Sequence, residues 1–208
     1  MSDPGHVTGL ILAAGAGSRF GGGKMRARLD GRPLVAHVLA AARAAGLRRL
    51  VLVVGRDAVA VRSAILHADP AALAGVLVAV NGAPERGLAT SLRLGLAAAS
   101  ADPCPDGVLV LLGDQPRVRP EVVAAVLAAA APPDAVAVVP AYDADAAANP
   151  VLLLPPAWPR AGDLHGDRGF GLILAAGNGV VRVAVPGTNP DVDTAADLAA
   201  LEGSSRAH

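Results

Sequence analysis

Aromatic side chains are almost missing: two phenylalanines, one tyrosine and one tryptophan among 208 residues, 2% in all. Without ring platforms, a role in stacking the bases of single-stranded nucleic acid is disfavoured. An excess of charge of one sign is missing too. Eighteen basic residues balance eighteen acidic ones, whereas a nucleic-acid-binding chain carries a basic surplus. Cysteine is confined to Cys104, so no disulfide can close within the chain and no multi-cysteine metal site can form. In SADPCPDG this residue falls in a turn before a strand, with no base motif beside it to make it a nucleophile. No histidine-rich metal constellation exists among the five histidines. The apolar runs are strand-sized, far short of a membrane span. The opening MSDPGHVTG lacks the basic-then-apolar order of a secretory leader. From these absences a cytoplasmic protein is expected, with neither membrane nor nucleic acid as a partner.

Hydrophobic residues, by contrast, make up 53% of the chain and charged ones only 17%. A sizeable core is therefore available, and the length suits one domain spanning 1–208, with an ordered core over 6–202 and a frayed tail over 203–208. Apolar runs of strand length alternate with amphipathic, alanine-rich segments. VTGLILAA, LRRLVLVVG, VLVAV, DGVLVLLGD, AVAVVPA, NPVLLLP and VVRVAVP read as strands. In RPLVAHVLAAARAAG, Val35, Val38, Leu39 and Ala42 follow helical spacing and Gly46 ends the run. Further helices are expected at DAVAVRSAILHA, GLATSLRLGLAAA, PEVVAAVLAAA, GDRGFGLILAAG and TAADLAALEG. Strands that are continuously apolar are those covered by helices on both faces. The fold class expected is α/β: a three-layer α/β/α domain with a mostly parallel, doubly wound (Rossmann-like) sheet of about seven strands. The less regular last third is expected to form a small antiparallel flap.

The first strand runs into LAAGAGSRFGGGK, residues 12–24. In open α/β sheets, ligands sit beyond the carboxyl ends of the strands, so this loop lies on the binding rim. Gly15 and Gly17 let backbone N–H groups approach an oxyanion, Gly21, Gly22 and Gly23 leave the rest flexible, and Arg19 and Lys24 bring the charge that phosphates need. A Walker A loop is ruled out by Ser18 at its first glycine position and by Met25 after the lysine. A dinucleotide fingerprint meets Gly15 and Gly17 but then Phe20, and the second strand ends near Val54 and Gly55 with no acidic residue. A second landmark is LVLLGDQP, where Asp114 closes a buried strand on the same rim. It can cap the next helix or bind a hard cation that bridges to phosphates. In NPDVDTAADL, Asp193 or Thr194 can cap the last helix. Asp193 is also a candidate metal ligand, ahead of Asp191, while Asp197 reads as a solvated helix residue.

The first of these segments resembles the L-A-A-G-x-G-x-R-x-G-x-x-K signature of the MobA-like NTP transferases. GDQP is similar to the metal-binding segment of that family's molybdopterin cytidylyltransferase branch, and NPDVDTAADL to its closing D-I-D-T-P-E-D-L. ERGLATSLRLGL resembles E-G-M-S-S-S-L-R-x-G-L, ANPVLL resembles G-H-P-V-L-L with Asn149 in place of histidine, and HGDRGFGLIL resembles G-D-x-G-A-R-x-L-L. Phe170 and Gly171 replace the alanine and arginine of that last motif, and Arg26 and Arg28 in KMRARLDG are unusual for the family. Those two arginines are either extra phosphate clamps or a solvated pair. The resemblance covers roughly residues 8–200.

The resemblance implies transfer of a nucleoside monophosphate from a triphosphate, CTP by the LAAG and GDQP spellings, to the phosphate of molybdenum-bound molybdopterin, with loss of pyrophosphate. It assigns catalysis to Lys24, Arg19 and Asp114. It assigns nucleotide binding to Leu12, Ala13, Ala14, Gly15, Gly17, Ser18, Arg19, Lys24, Asn81, Gly87, Ser91 and Asp114, and weaker acceptor contacts to Asn149, Asp167 and Arg168. Mg2+ or Mn2+ would sit on Asp114 and Asp193. A molybdoenzyme or its chaperone would be the protein partner. Other readings are the same chemistry on a different phosphorylated acceptor or NTP, a nucleotide-binding protein that delivers a cofactor without chemistry, and an NAD(P)-dependent oxidoreductase on a similar sheet.

Overall fold

The computed structural model describes residues 6–15, 17–101, 104–144, 148–166, 171, 174 and 177–205. Its centre is a seven-stranded sheet. The strands are β1 (Val7–Ala13), β4 (Arg49–Val54), β5 (Val76–Val80), β6 (Gly107–Leu112), β7 (Ala137–Tyr142), β8 (Val151–Leu153) and β9 (Val180–Val185), in the spatial order β5-β4-β1-β6-β8-β7-β9. A separate two-stranded antiparallel sheet joins β2 (Arg28–Leu29) to β3 (Arg32–Pro33). The helices are α1 (Leu34–Ala44), α2 (Ala58–Ala68), α3 (Leu88–Ala99), α4 (Pro120–Ala128) and α5 (Ala195–Ser205).

Alternation along each strand feeds two cores. Ile11, Leu52 and Leu111 pack with Val38, Val61 and Val126 of α1, α2 and α4. Leu10, Val53 and Val110 pack with Leu92 and Leu96 of α3 and with Ala157 from the 3-10 segment Pro155–Asp163. These are the three expected layers. The second helix layer lies tight against the sheet at Gly95, where an added Cβ would fall 2.4 Å from Leu10 Cδ1.

Parallel pairing holds from β5 to β6 and between β7 and β9. Strand β8 alone runs against its neighbours, and it lies inside the main sheet between β6 and β7. The antiparallel part of the last third is thus a strand of the main sheet, and the small separate sheet falls earlier, at residues 28–33. Most of the helix expected at GDRGFGLILAAG lies outside the described residues. Helix α5 runs to Ser205, past the Gly203 expected to begin the tail. Its capping device sets where it starts: Asp197 accepts from the N–H groups of Asp193 (2.9 Å) and Thr194 (2.7 Å), while Thr194 Oγ1 accepts from Asp197 N–H. Asp197 is therefore a structural cap rather than a merely solvated residue, and those backbone bonds hold its carboxyl below the usual carboxylate range.

Candidate active site

The order of strands reverses direction between β1 and β6: the chain winds outward from β1 through β4 to β5, then returns to β6 on the other side. The carboxyl ends of β1 and β6 lie side by side there, Leu12 opposite Leu112. Helices on both faces leave a crevice at such a switch point. Gly113 N–H bonds back to Leu12 O at 2.8 Å, which fixes the turn that presents Asp114.

The loop after β1 is folded, not slack. Ser18–Phe20 and Lys24–Arg26 form two 3-10 turns, separated by Gly21, Gly22 and Gly23 at φ 85°, 94° and 67°. The sequence suggested flexibility for these three glycines; what they supply is left-handed backbone, which other residues rarely adopt. Gly17, at φ 58°, brings the loop back so closely that a Cβ on it would lie 2.9 Å from Lys24 Cβ. Among the described residues, the N–H groups of Gly15 and Gly17 have no protein partner.

Lys24 is 7% exposed. Its Nζ donates to Asp114 Oδ2 at 2.7 Å and to Asp193 Oδ1 at 2.9 Å. Burial works against the ammonium, but the two carboxylates outweigh it, and the Lys24 pKa is raised above 10.5. The same hydrogen bond and charge hold the Asp193 carboxyl below its ordinary 3.8. Arg19, at the exposed rim, adds a longer contact to Asp193, 3.4 Å.

Asp193 is held there from two sides. Val192 N–H bonds to Asp114 O at 2.9 Å, and Val192 itself is buried with Leu29 and Leu34, beside Phe20 from the loop and Leu198 and Leu201 from α5. Gln115, 3% exposed, donates to Asp191 Oδ1 at 2.6 Å and accepts from Asn189 Nδ2 at 3.0 Å. Burial first, then the charges of Asp114 and Asp193, raise the Asp191 pKa, so a third carboxylate lies within electrostatic reach. In the sequence, the only signal for Gln115 is that it is a polar residue directly after the strand-end aspartate.

A cleft of about 500 Å³ opens above Lys24 and Asp114. Leu12, Ala14, Gly15, Gly17 and Ser18 line one side, Lys24 and Asp114 the floor, and Gly87 and Ser91 of the α3 start the other. Met25, Pro84, Glu85, Leu88 and Leu112, which the sequence did not single out, complete it. Two residues assigned to nucleotide contact have other places. The Ala13 side chain is buried in the core under α1. Asn81, 6% exposed, lies behind the cleft: its Nδ2 donates to Thr90 Oγ1 and Ser91 Oγ at 2.9 Å, and its Oδ1 accepts from Ala83 N–H. It orients Ser91 instead of lining the wall. Arg28 donates to Gly31 O at 3.1 Å and braces the β2–β3 turn, whereas Arg26 lines a recess beside the cleft. Asn149 lines a smaller apolar chamber of about 290 Å³ that shares Leu12, Leu88 and Leu112 with the cleft. Its carbonyl accepts from Tyr142 OH at 2.9 Å and Asn189 Nδ2 at 3.2 Å. Asp167 and Arg168 lie outside the described residues.

A glycine loop, a nearly buried lysine and two converging acids thus meet at the switch point of an α/β sheet. The chain belongs to the MobA-like NTP transferase family, whose domain model matches residues 9–180. Rv0371c from Mycobacterium tuberculosis H37Rv superposes with a TM-score of 0.83 at 34% identity, covering 96% of this chain and 98% of that one. A structure of Rv0371c in complex with manganese matches with a TM-score of 0.79 at 32% identity, over 96% and 99% of the two chains. Among curated proteins, the 2-C-methyl-D-erythritol 4-phosphate cytidylyltransferase of Cereibacter sphaeroides is 39% identical over 139 residues, 65% of this chain and 59% of its own length. The bifunctional protein GlmU of Geobacter metallireducens is 38% identical over 119 residues, 56% of this chain but 23% of that longer protein. Among the described residues no helix is long and apolar enough to cross a membrane.

Proposed function

We propose that the cleft binds CTP and transfers its CMP to a phosphate monoester, releasing pyrophosphate, with molybdenum-bound molybdopterin as the acceptor. The observation that carries this reading is the meeting of Asp114 and Asp193, within 2.9 Å, on the ammonium of Lys24, which with Asp114 floors the glycine-lined cleft.

The acceptor needs no protein base, because the second pKa of a phosphate monoester is about 6 and it is largely ionised at neutral pH. The task of the protein is to bring two anions together and offset their repulsion. The amides of Gly15 and Gly17, which have no protein partner among the described residues, hold the leaving pyrophosphate with Arg19 at the rim. Lys24 supplies positive charge to the phosphates as charge moves onto the leaving group. Ser91, fixed by Asn81, faces the base or ribose. The residues present fit a hard divalent cation: carboxylate oxygens from two separate loops already meet at one positive charge, and hard ions prefer such oxygen. Among the described residues no third acidic or imidazole ligand completes the set. Asp114 and Asp193 would therefore hold Mg2+ or Mn2+, leaving its other positions to phosphate and water. Such an ion supplies charge neutralisation at the reacting phosphate.

The chamber beside Asn149, about 290 Å³, offers room next to the cleft for the ring system of a pterin acceptor. A second reading, a polyol phosphate acceptor, is favoured by the match to the erythritol-phosphate cytidylyltransferase. Pyrophosphate release from purified protein, measured with CTP, GTP and ATP against molybdenum-bound molybdopterin and 2-C-methyl-D-erythritol 4-phosphate, separates them. Release with CTP and the pterin alone is expected. Nucleotide binding without release on any acceptor would point to cofactor delivery instead. Lys24→Ala and Asp114→Ala are each expected to lower turnover about 100-fold or more, the loss typical of one preorganised charge contact. Near-native turnover in both would sink the assignment.

A further inference from the structure

Lysine occurs once in this chain, at position 24, against seventeen arginines. Every other permanently cationic side chain is a guanidinium; the one ammonium stands at the bottom of the cleft. Asp114 Oδ2 and Asp193 Oδ1 reach it from two different loops, at 2.7 and 2.9 Å. A guanidinium is a planar fork that pairs edge-on with one carboxylate, whereas an ammonium is a compact point charge that several oxygens can surround. A compact positive charge surrounded by carboxylate oxygens is also what a hard divalent cation requires.

We infer that the Lys24 ammonium is a resident substitute for the divalent cation. It keeps Asp114 and Asp193 together while no metal is bound, and it competes with metal for the same oxygens. The inference rests on reading those two aspartates as the cation's ligands. A metal ion arriving alone must break the Lys24 contacts, leaving a nearly buried ammonium without an anion. A metal arriving with a triphosphate brings the replacement, because the cleft that Lys24 lines is also walled by Gly15, Gly17 and Ser18. The cation therefore binds weakly by itself and tightly with nucleotide, and Lys24 passes from the aspartates to the phosphates in the exchange.

Mn2+ binding without nucleotide, followed by the loss of the free-ion electron spin resonance signal, tests this. Lys24→Gln is expected to bind Mn2+ at least about tenfold more tightly than the native protein, since a unit charge a few ångströms from the ion is removed. Lys24→Arg, which keeps the charge but pairs its fork with one carboxylate, is expected to bind Mn2+ between the native protein and Lys24→Gln. Equal or weaker Mn2+ binding by Lys24→Gln would overturn the proposal, as would Lys24→Arg behaving like Lys24→Gln. A second measurement uses the native protein and so does not depend on a variant folding. With one lysine in the chain, side-chain 15N-lysine labelling gives a single Nζ resonance. Adding Mg2+ is expected to move it in a saturable way that NaCl of equal ionic strength does not reproduce. A resonance that stays in place at every Mg2+ concentration overturns the proposal. Both measurements follow cation and amine, not pyrophosphate release, so the exchange and the transfer reaction can fail independently.

Discussion

A carbon atom added at position 113 would be crowded: it would lie 3.0 Å from both Ala13 Cβ and Met25 Sδ and 3.1 Å from Leu12 O. Gly113→Ala is expected to lower stability by about 1–3 kcal/mol, the usual cost of overpacking, read as a fall in Tm. Charge makes its own residue-scale prediction. The Asp193 carboxyl titrates below 3.8 in the folded state, so its stabilisation is present above that pH and fades as pH falls through the depressed value. Lys24 titrates above 10.5, so its contribution is whole below that pH and fades as pH rises through the folded value. Thermal melts from pH 2 to 5 are expected to slope less in Asp193→Asn than in the native chain; identical slopes would contradict the assignment. Lys24, Asp114 and Asp193 were legible because each carries charge at a strand end or helix start. Gln115 and Asn189 were not. Their amides are buried against each other across 74 positions of sequence, and no periodicity announces such a pairing.

At the scale of elements, local rules explain most of what formed, including some that went unused. The β2–β3 hairpin turns on Asp30 and Gly31 at φ 50° and 79°, the aspartate-glycine pair that tight hairpins favour, spelled out in RLDGRP. Thr194 and Asp197 spell a capping box in the same way. Because that cap fixes the turn carrying Asp193, Thr194→Ala is expected to cost about 1 kcal/mol of stability in a melt, the typical loss of an N-cap. It is also expected to weaken Mn2+ binding in the presence of nucleotide. The apolar run of strand β5 predicts burial, yet it is an edge strand, with Leu77 and Val80 each 54% exposed. Composition reports what a segment is made of, not which neighbours tertiary pairing gives it.

For the whole molecule, alternating strands and helices made the layered architecture legible, and the loop after β1 then named the binding rim. Strand order was not legible, because β8 reaches its place through pairing between distant segments rather than through its own three residues. The switch point between β1 and β6 predicts where ligand stabilisation enters. CTP with Mg2+ at about 100 times its Kd is expected to add about 2.7 kcal/mol, seen as a higher Tm, with GTP and ATP ranking below it. A ranking led by GTP would move the donor assignment. The placement of β8 also bears on how the polypeptide is made. Strand β6 ends at Leu112, but the strand that seals its outer edge begins only at Val151. A growing chain on the ribosome must carry that apolar ladder unsealed through the intervening stretch. Any truncation in that interval would present open backbone donors and acceptors to the next such fragment, so cut products are expected to aggregate where the full-length chain does not.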